Sequence, residues 1–168
     1  LCATYSSIPI IRKRIDLLSR KFGREMWFEG ERFYSFPSPE QLKDACCDTL
    51  TECKLGYRAP YFQETSCRLA SEPGWKERIE SLPYEEARKY LRTFKGIGPK
   101  AADCILLFAF QKYEAFPVDV WIRRIIERHY PQYAKYPGGD VNERIRRFGM
   151  DYFGQYPGYA QEYLFCAR

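Results

Sequence analysis

The stretch FKGIGPKAADC, residues 94–104, decides the fold that the sequence predicts. A helix that ends near Thr93, the turn FKGIG and a second helix that starts at Pro99 form a helix–hairpin–helix. Gly96 and Gly98 permit positive φ angles and let the backbone approach a partner closely. The N–H groups of the turn and of the next helix start can bind a phosphate without reading a base. On these residues alone, a tight inter-helix turn is an equally good interpretation.

One lysine, Lys100, lies in the first turn of the second helix, where the helix dipole disfavours a cation. An apolar helix body and a bound partner would desolvate the amine, and both effects favour its neutral form. A neutral lysine is a nucleophile that forms a Schiff base with a sugar carbon. The position therefore indicates chemistry, because a helix gains no stability from a lysine there.

An acidic residue, Asp119, follows nineteen residues after the lysine (119 − 100), in AFPVDVWIRR. Aspartate at such a place commonly caps the start of a helix. We also expect its carboxylate to face Lys100, to help deprotonate the amine and to stabilise positive charge that develops on a deoxyribose. Capping and catalysis are compatible roles for one side chain.

The composition is that of an ordinary globular domain, with 45% hydrophobic and 29% charged residues. The net charge is +5, and residues 120–150 hold seven Lys or Arg against three acids, a local excess of 7 − 3 = 4. A basic face of this kind suits a polyanion such as DNA. A solvated helix face without a partner is the plainer alternative. Aromatic residues reach 17%, and stacking on nucleobases is one use for them besides core packing.

Cysteine usage argues against a metal centre. None of the seven cysteines forms a CxxC pair, and His129 is the one histidine, so a zinc site is poorly supported. Only Cys166 follows Cys104, which excludes a four-cysteine iron–sulfur cluster near the C-terminus. We expect reduced thiols in a cytosolic protein, no membrane span and no signal peptide. Because the sequence begins at Leu1 without Met, we expect a fragment or a missing N-terminal part.

The hydrophobic pattern predicts helices joined by short connections and no βαβ alternation, so the fold class is all-α. Residues 24–37 are irregular and can hold a hairpin. The expected helices cover, in chain order, residues 8–22, 39–47, 60–72, 83–94, 99–110, 120–130, 140–153 and 157–167.

GIGPKAADC with PVDV after it resembles the helix–hairpin–helix–Gly/Pro–Asp superfamily of DNA glycosylases. Lysine at this place marks its bifunctional branch, which cleaves the glycosidic bond and then nicks the strand by β-elimination. Three further stretches, in the same order along the chain, resemble the 8-oxoguanine DNA glycosylase/lyases: LGYRAPYF (55–62), SLPYEEARKYL (81–91) and YPGYAQEYLF (156–165). The resemblance covers essentially residues 1–168. It implies two helical lobes with a cleft between them, lobe one about 24–99 and lobe two about 1–23 plus 100–168.

The resemblance also implies roles for individual residues. Lys100 would attack the anomeric carbon and form the imine, with Asp119 as the activating carboxylate. Tyr57 would wedge into the duplex where the damaged nucleotide leaves, and Arg58 would contact the orphaned partner base. The hairpin residues that would hold the DNA backbone are Gly96, Ile97 and Gly98.

A pocket for the flipped base is implied as well. Cys104 and Phe165 would sandwich the base, although ordinary core packing is the alternative for both. Gln161 would hydrogen-bond its Watson–Crick edge, the carbonyl of Pro117 would lie nearby, and Phe108 replaces a methionine of this pocket. No cofactor is required, but a structural monovalent or divalent cation would bind the hairpin carbonyls of Arg92, Phe94 and Ile97.

Several positions depart from the family pattern. Tyr5 stands where a gap-filling asparagine is expected, and Ile10 where an arginine helps to read the opposite cytosine, so we expect a weaker cytosine preference. Lys95 replaces a hairpin proline. The family's N-terminal β-domain, which tells 8-oxoguanine from guanine, is absent from the sequence. Lesion discrimination therefore either lies outside these residues or differs.

The expected partner is double-stranded DNA that contains a damaged base, bound by a monomer. The location would be the cytoplasm and nucleoid of a prokaryote or the nucleus of a eukaryote. Three alternatives stay open. The first is the same superfamily acting on another lesion, such as an oxidised pyrimidine. The second is a non-enzymatic helix–hairpin–helix DNA-binding module, and the third is a structural helical bundle.

Overall fold

The computed structural model describes residues 1–4 and 6–167, which are helical apart from one short antiparallel hairpin. This confirms the all-α class. No helix in the described part of the chain is both long and apolar enough to cross a membrane. The α-helices and strands, in chain order, are α1 Ile8–Phe22, β1 Glu25–Phe28, β2 Glu31–Tyr34, α2 Pro39–Leu42, α3 Cys47–Glu52, α4 Ala59–Ser71, α5 Trp75–Ser81, α6 Tyr84–Leu91, α7 Pro99–Phe110, α8 Val120–His129, α9 Val141–Tyr152 and α10 Pro157–Cys166.

Most helices lie where the hydrophobic pattern places them, with two differences. The helix expected over 39–47 is split into α2, whose N-cap Ser38 forms a capping box with Gln41, and the separate α3. The hydrophobic pattern does not predict helix α5, because its sequence WKERIES is mostly polar. In the structure, Ile79 is the buried residue of this helix. The hairpin within 24–37 is present as β1 and β2, paired from Glu25↔Tyr34 to Phe28↔Glu31.

The chain divides into two compact units, the first Leu1–Arg78 with Phe94–Gly96 and the second Ile79–Thr93 with Ile97–Arg168. This division differs from the expected lobes at both ends of lobe one. Residues 1–23 belong to the first unit, not to the second, and residues 79–93 belong to the second.

The core of the first unit explains why α1 belongs to it. Leu18 of α1 is fully buried in a cluster with Leu50, Leu55 and other apolar side chains of α2 to α4. Arg14, one turn earlier, is also buried, and its guanidinium donates hydrogen bonds to the carbonyls of Cys2 and Lys54, each at 2.8 Å. Helix α1 is therefore fixed to that core both by the apolar surface of Leu18 and by the hydrogen bonds of a buried guanidinium.

The second unit has a core of its own between α8, α9 and α10. Phe116, Ile122, Ile126, Ile145 and Phe148 are all fully buried there. The ring of Phe116 stacks on that of Phe153, with ring centroids 5.7 Å apart. Gly149 of α9 lies against the same ring, so α9 packs closely on the segment that leads into α8.

Substitution of Gly149 tests this packing. A Cβ at this position would lie 2.4 Å from an atom of the Phe116 ring, which is held by Phe153. We expect Gly149→Ala to lower the free energy of unfolding by about 1–3 kcal/mol, despite a helix-propensity gain of about 1 kcal/mol. Urea denaturation measures the effect. Gly139→Ala is the control, because its Cβ would meet open space, and equal stability of the two variants would contradict the packing.

Candidate active site

The hairpin between α6 and α7 has the backbone that a tight connection requires. Gly96 has φ +82°, and a Cβ there would lie 2.8 Å from the Tyr61 ring, so only glycine is accommodated without strain. Gly98, the N-cap of α7, has φ −84°, so it does not use the positive angle that glycine permits. A Cβ at Gly98 would meet no atom within 4 Å, so nothing within the chain crowds this position. Gly98 therefore leaves room for a close partner, as expected, but its own conformation does not require glycine.

Lys100 lies in the first turn of α7 and is exposed. Its side chain extends towards Cys104, one turn further along the same helix. Burial raises the pKa of the Cys104 thiol, while the charge of Lys100 and its hydrogen bond to that thiol act in the opposite direction. The structure therefore brings together the predicted nucleophile and one predicted wall of the base pocket.

Asp119 is the N-cap of α8. A single carboxylate oxygen, Oδ1, accepts hydrogen bonds from the backbone N–H groups of Trp121 at 2.9 Å and Ile122 at 2.8 Å. Among the described residues, no side chain or backbone group donates a hydrogen bond to Oδ2. The capping role is thus present, and one oxygen is left for another partner. The catalytic role of Asp119 stays a prediction.

Gln161 of α10 is the most informative residue of the predicted base pocket. Its side chain is 5% exposed, and its oxygen Oε1 is buried without a hydrogen-bond partner among the described residues. An unpaired buried amide oxygen costs about 1–3 kcal/mol, which a donor on a bound ligand would recover. The placement agrees with an amide that reads the edge of a base.

The other pocket residues are placed in different ways. Pro117 is fully buried, and Phe165 is half-buried against the core of the second unit, as its core-packing alternative predicts. Phe108 is 62% exposed and lines a cavity of about 220 Å³. The other lining residues, none of which the sequence singled out, are Leu107, Gln111, Tyr113, Gly158, Tyr159 and Glu162. The cavity does not include Cys104, Pro117, Gln161 or Phe165.

In the first unit, the predicted wedge and its neighbour differ sharply in exposure. Tyr57 is 59% exposed, as a wedge must be. Arg58 is only 6% exposed; it donates to the carbonyl of Thr4 and lies 4.2 Å from the centre of the Tyr57 ring. The structure therefore buries Arg58 within the first unit, beside the ring of Tyr57, and its contact with a partner base stays a prediction. Tyr5 lies outside the described residues.

A buried ionic network was missed by the sequence reasoning. Asp103 of α7 is 2% exposed and pairs with Arg88 of α6, while Glu143 and Arg146 of α9 extend the network. Burial would raise the pKa of Glu143, but hydrogen bonds and charge from Arg146 and Arg88 outweigh it and lower the pKa to about 2. An acid within the apolar run PKAADCILLFAF was the one sequence signal for this network, since a buried charge requires a partner.

The same network corrects the prediction of a basic face. Arg146 belongs to the basic segment 120–150 but is 2% exposed and binds Glu85 and Glu143. Arg147 also pairs with Glu143, and Arg123 pairs with Glu127. The local excess of four already counts Glu127 and Glu143, so of these partners only Glu85, which lies outside the segment, reduces the positive charge further.

Comparison with known proteins shows the family. Residues 12–148 match the HhH-GPD superfamily of base excision DNA repair proteins, and the chain belongs to this superfamily. A "Probable N-glycosylase/DNA lyase" of Methanothermobacter thermautotrophicus is 39% identical over 173 residues, which cover 91% of this chain and 53% of that protein. "N-glycosylase/DNA lyase OGG1" of Arabidopsis thaliana is 30% identical over 175 residues, which cover 100% of this chain and 48% of that protein.

A solved structure agrees with these relatives. The 8-oxoguanine glycosylase/lyase of Clostridium acetobutylicum, in complex with double-stranded DNA that contains cytosine opposite 8-oxoguanine, superposes with a TM-score of 0.85 at 36% identity. The match covers 98% of this chain and 55% of that one. The chain thus spans about half the length of the relatives that it matches.

The cap at α8 can be separated from the charge of Asp119 by two substitutions. Asparagine is as good an N-cap as aspartate, so Asp119→Asn should leave the free energy of unfolding within a few tenths of a kcal/mol of the wild type. Asp119→Ala removes the bonds to Trp121 and Ile122 and should lower it by about 1 kcal/mol. Thermal and urea unfolding measure both. Equal losses in the two variants would show that the charge, not the cap, stabilises α8.

Proposed function

We propose that the chain is the catalytic region of a base-excision-repair DNA glycosylase with AP-lyase activity that removes 8-oxoguanine from double-stranded DNA. The observation that carries this proposal is the start of α7, where an exposed lysine follows the hairpin glycines and precedes Cys104 by one helical turn. The relatives whose names specify a glycosylase and lyase support the reaction class.

The chemistry proposed for Lys100 is covalent. With the target nucleotide turned out of the duplex, the amine of Lys100 attacks the anomeric carbon C1′. The bond from C1′ to the base nitrogen breaks, and its electron pair leaves with the base. Opening of the sugar ring gives an imine between C1′ and the lysine nitrogen. Loss of a proton from C2′ then expels the 3′ phosphate, which nicks the strand.

Asp119 supports these reaction steps through its charge. Its Oδ1 is occupied by the two N–H groups of α8, so its orientation is fixed before DNA binds. The other oxygen is available to take a proton from the lysine or to stabilise positive charge on the sugar. A carboxylate held in this way requires little reorganisation during the reaction.

Base recognition is assigned to Gln161, and the base is enclosed by Cys104 and Phe165. The buried Oε1 of Gln161 lacks a donor, and the edge of a flipped purine offers N–H groups to it. Pro117 and Phe108 complete the proposed pocket. Selection of 8-oxoguanine over guanine is not assigned to any residue of this chain.

The DNA is proposed to contact the hairpin at Gly96, Ile97 and Gly98 and the exposed ring of Tyr57. The carbonyls of Arg92, Phe94 and Ile97 are further proposed to bind a hard cation, because oxygen is the donor that such ions prefer. That cation would help to hold a phosphate and would take no part in the reaction. We further propose a monomer that works in the cytoplasm and nucleoid or in the nucleus, according to the source.

The first test is reductive trapping. Borohydride reduces the imine, so the wild type should form a stable protein–DNA adduct with an 8-oxoguanine duplex, and Lys100→Gln should form none. Lys13→Gln, which removes an exposed lysine of α1, is the control and should trap like the wild type. An adduct that survives Lys100→Gln would overturn the assignment of the nucleophile. No adduct with any lesion would favour a DNA-binding module, and a panel of lesions and opposite bases separates 8-oxoguanine from other substrates.

The second test separates base recognition from strand nicking. Gln161→Leu keeps the side-chain volume but removes the amide, so we expect excision of 8-oxoguanine to slow by about tenfold or more, which corresponds to about 1.4 kcal/mol. Nicking of a duplex with a preformed abasic site should be unchanged, because no base is bound. Gln155→Leu, at an exposed position, is the control. Equal losses on both substrates would contradict the proposed role of Gln161.

A further inference from the structure

We propose that Asp103 is a positioning residue for Lys100, and that its buried ion pair fixes the place of the lysine amine at the start of α7. This inference rests on the proposed function and adds a residue that does not touch the DNA. Asp103 lies three residues after Lys100 on α7 and is 2% exposed. It is therefore within one helical turn of the reacting amine but on an inner face of the helix.

The contacts of Asp103 come from the preceding helix of the hairpin. The Tyr84 hydroxyl and the Arg88 Nε each donate to its Oδ1 at 2.7 Å. Arg88 Nη2 approaches Oδ2 at 3.5 Å. Tyr84 and Arg88 lie four residues apart on α6, so they form one continuous face against α7. The carboxylate is thereby held from α6 by donors whose directions are fixed.

Further ion pairs and hydrogen bonds connect the two partners of Asp103 to α9. Arg88 Nη2 lies 3.3 Å from Glu143 Oε2, and Arg146 Nη1 donates to the Tyr84 hydroxyl at 3.2 Å. Arg146 in turn binds Glu85 at 2.8 Å and Glu143 at 2.7 Å. The donors and acceptors thus connect α6, α7 and α9 within the second unit. A shift or rotation of α7 would break several of these bonds at once.

Helix geometry shows how the bonds of Asp103 affect the position of the Lys100 amine. At about 100° per residue, Lys100 and Cys104 project about 40° apart around α7, and Asp103 projects about 60° to the other side of Lys100. Because Asp103 is held in place, α7 cannot rotate freely about its axis. The direction in which the Lys100 amine and the Cys104 thiol project is therefore fixed as well. A displacement of about 1 Å at a reacting group can cost about a hundredfold in rate. Apolar residues of similar volume often stabilise a fold as well as a buried ion pair does, so stability alone is a weak explanation for this one.

The test uses the rate of imine formation under single-turnover conditions, with enzyme in excess over a duplex that contains a preformed abasic site. Asp103→Asn keeps the size of the side chain but places an amide N–H towards Arg88. We expect its trapping rate to fall by about tenfold or more, while the Kd for a duplex with an uncleavable abasic-site analogue stays within about twofold of the wild type. Tyr84→Phe removes one of the two bonds to Oδ1 and should lower the rate less, also without a change in Kd.

Ile145→Ala is the matched control, because Ile145 is a fully buried residue of α9 in the apolar core, so its truncation lowers stability, and its side chain forms none of the ion pairs or hydrogen bonds of the network. At a temperature where all variants are folded, it should trap at the wild-type rate. Wild-type trapping rates in both Asp103→Asn and Tyr84→Phe would overturn the inference and leave the proposed function standing. A rate loss in Ile145→Ala equal to that in Asp103→Asn would also overturn it, since stability would then explain the effect. A wild type that forms no adduct would instead overturn the proposed function, and this inference with it.

Discussion

The ion pair between Arg88 and Asp103 is a buried constraint on the second unit, and it joins α6 to α7. Both side chains are almost fully buried, so each would be strongly destabilising without the other. Burial of the pair is tolerated because Tyr84, Glu143 and Arg146 satisfy the remaining donors and acceptors. The result is a fixed relation of α6 and α7, the two helices that the hairpin joins. The placement of the first turn of α7 depends on that relation.

Two helix starts in this unit have opposite electrostatic character. The start of α8 is capped by Asp119, an anion in the favourable field of the helix dipole. The start of α7 carries Lys100, a cation in the unfavourable field. A lysine placed against the dipole and exposed gains nothing from the fold. This contrast is the physical reason to assign chemistry to Lys100 and both capping and chemistry to Asp119.

Structural features that depend on residues close together in the chain could be predicted from the sequence. Contacts between residues far apart in the chain could not. The hairpin, the cap at Asp119 and most helices follow from local spacing, and a positive φ at Gly96 follows from the glycine of the turn. The wedge role of Tyr57, by contrast, came from the resemblance to a family. The network was missed because the partner of Asp103 lies fifteen residues away on another helix. The burial of Arg58 was not predicted for the same reason, since its acceptor Thr4 is fifty-four residues distant.

Buried polar groups in the second unit are of two kinds, and the difference bears on function. The carboxylate of Asp103 accepts two hydrogen bonds at 2.7 Å, which restrict its movement, whereas Oε1 of Gln161 is buried without a donor in the described residues. A satisfied group gains nothing from a ligand, but an unsatisfied one gains a hydrogen bond when a ligand supplies the donor. Rigid helices around one unpaired acceptor favour a ligand that presents an N–H at a fixed place. The edge of a purine is such a ligand, and this is the physical basis on which base recognition is proposed for Gln161 of α10.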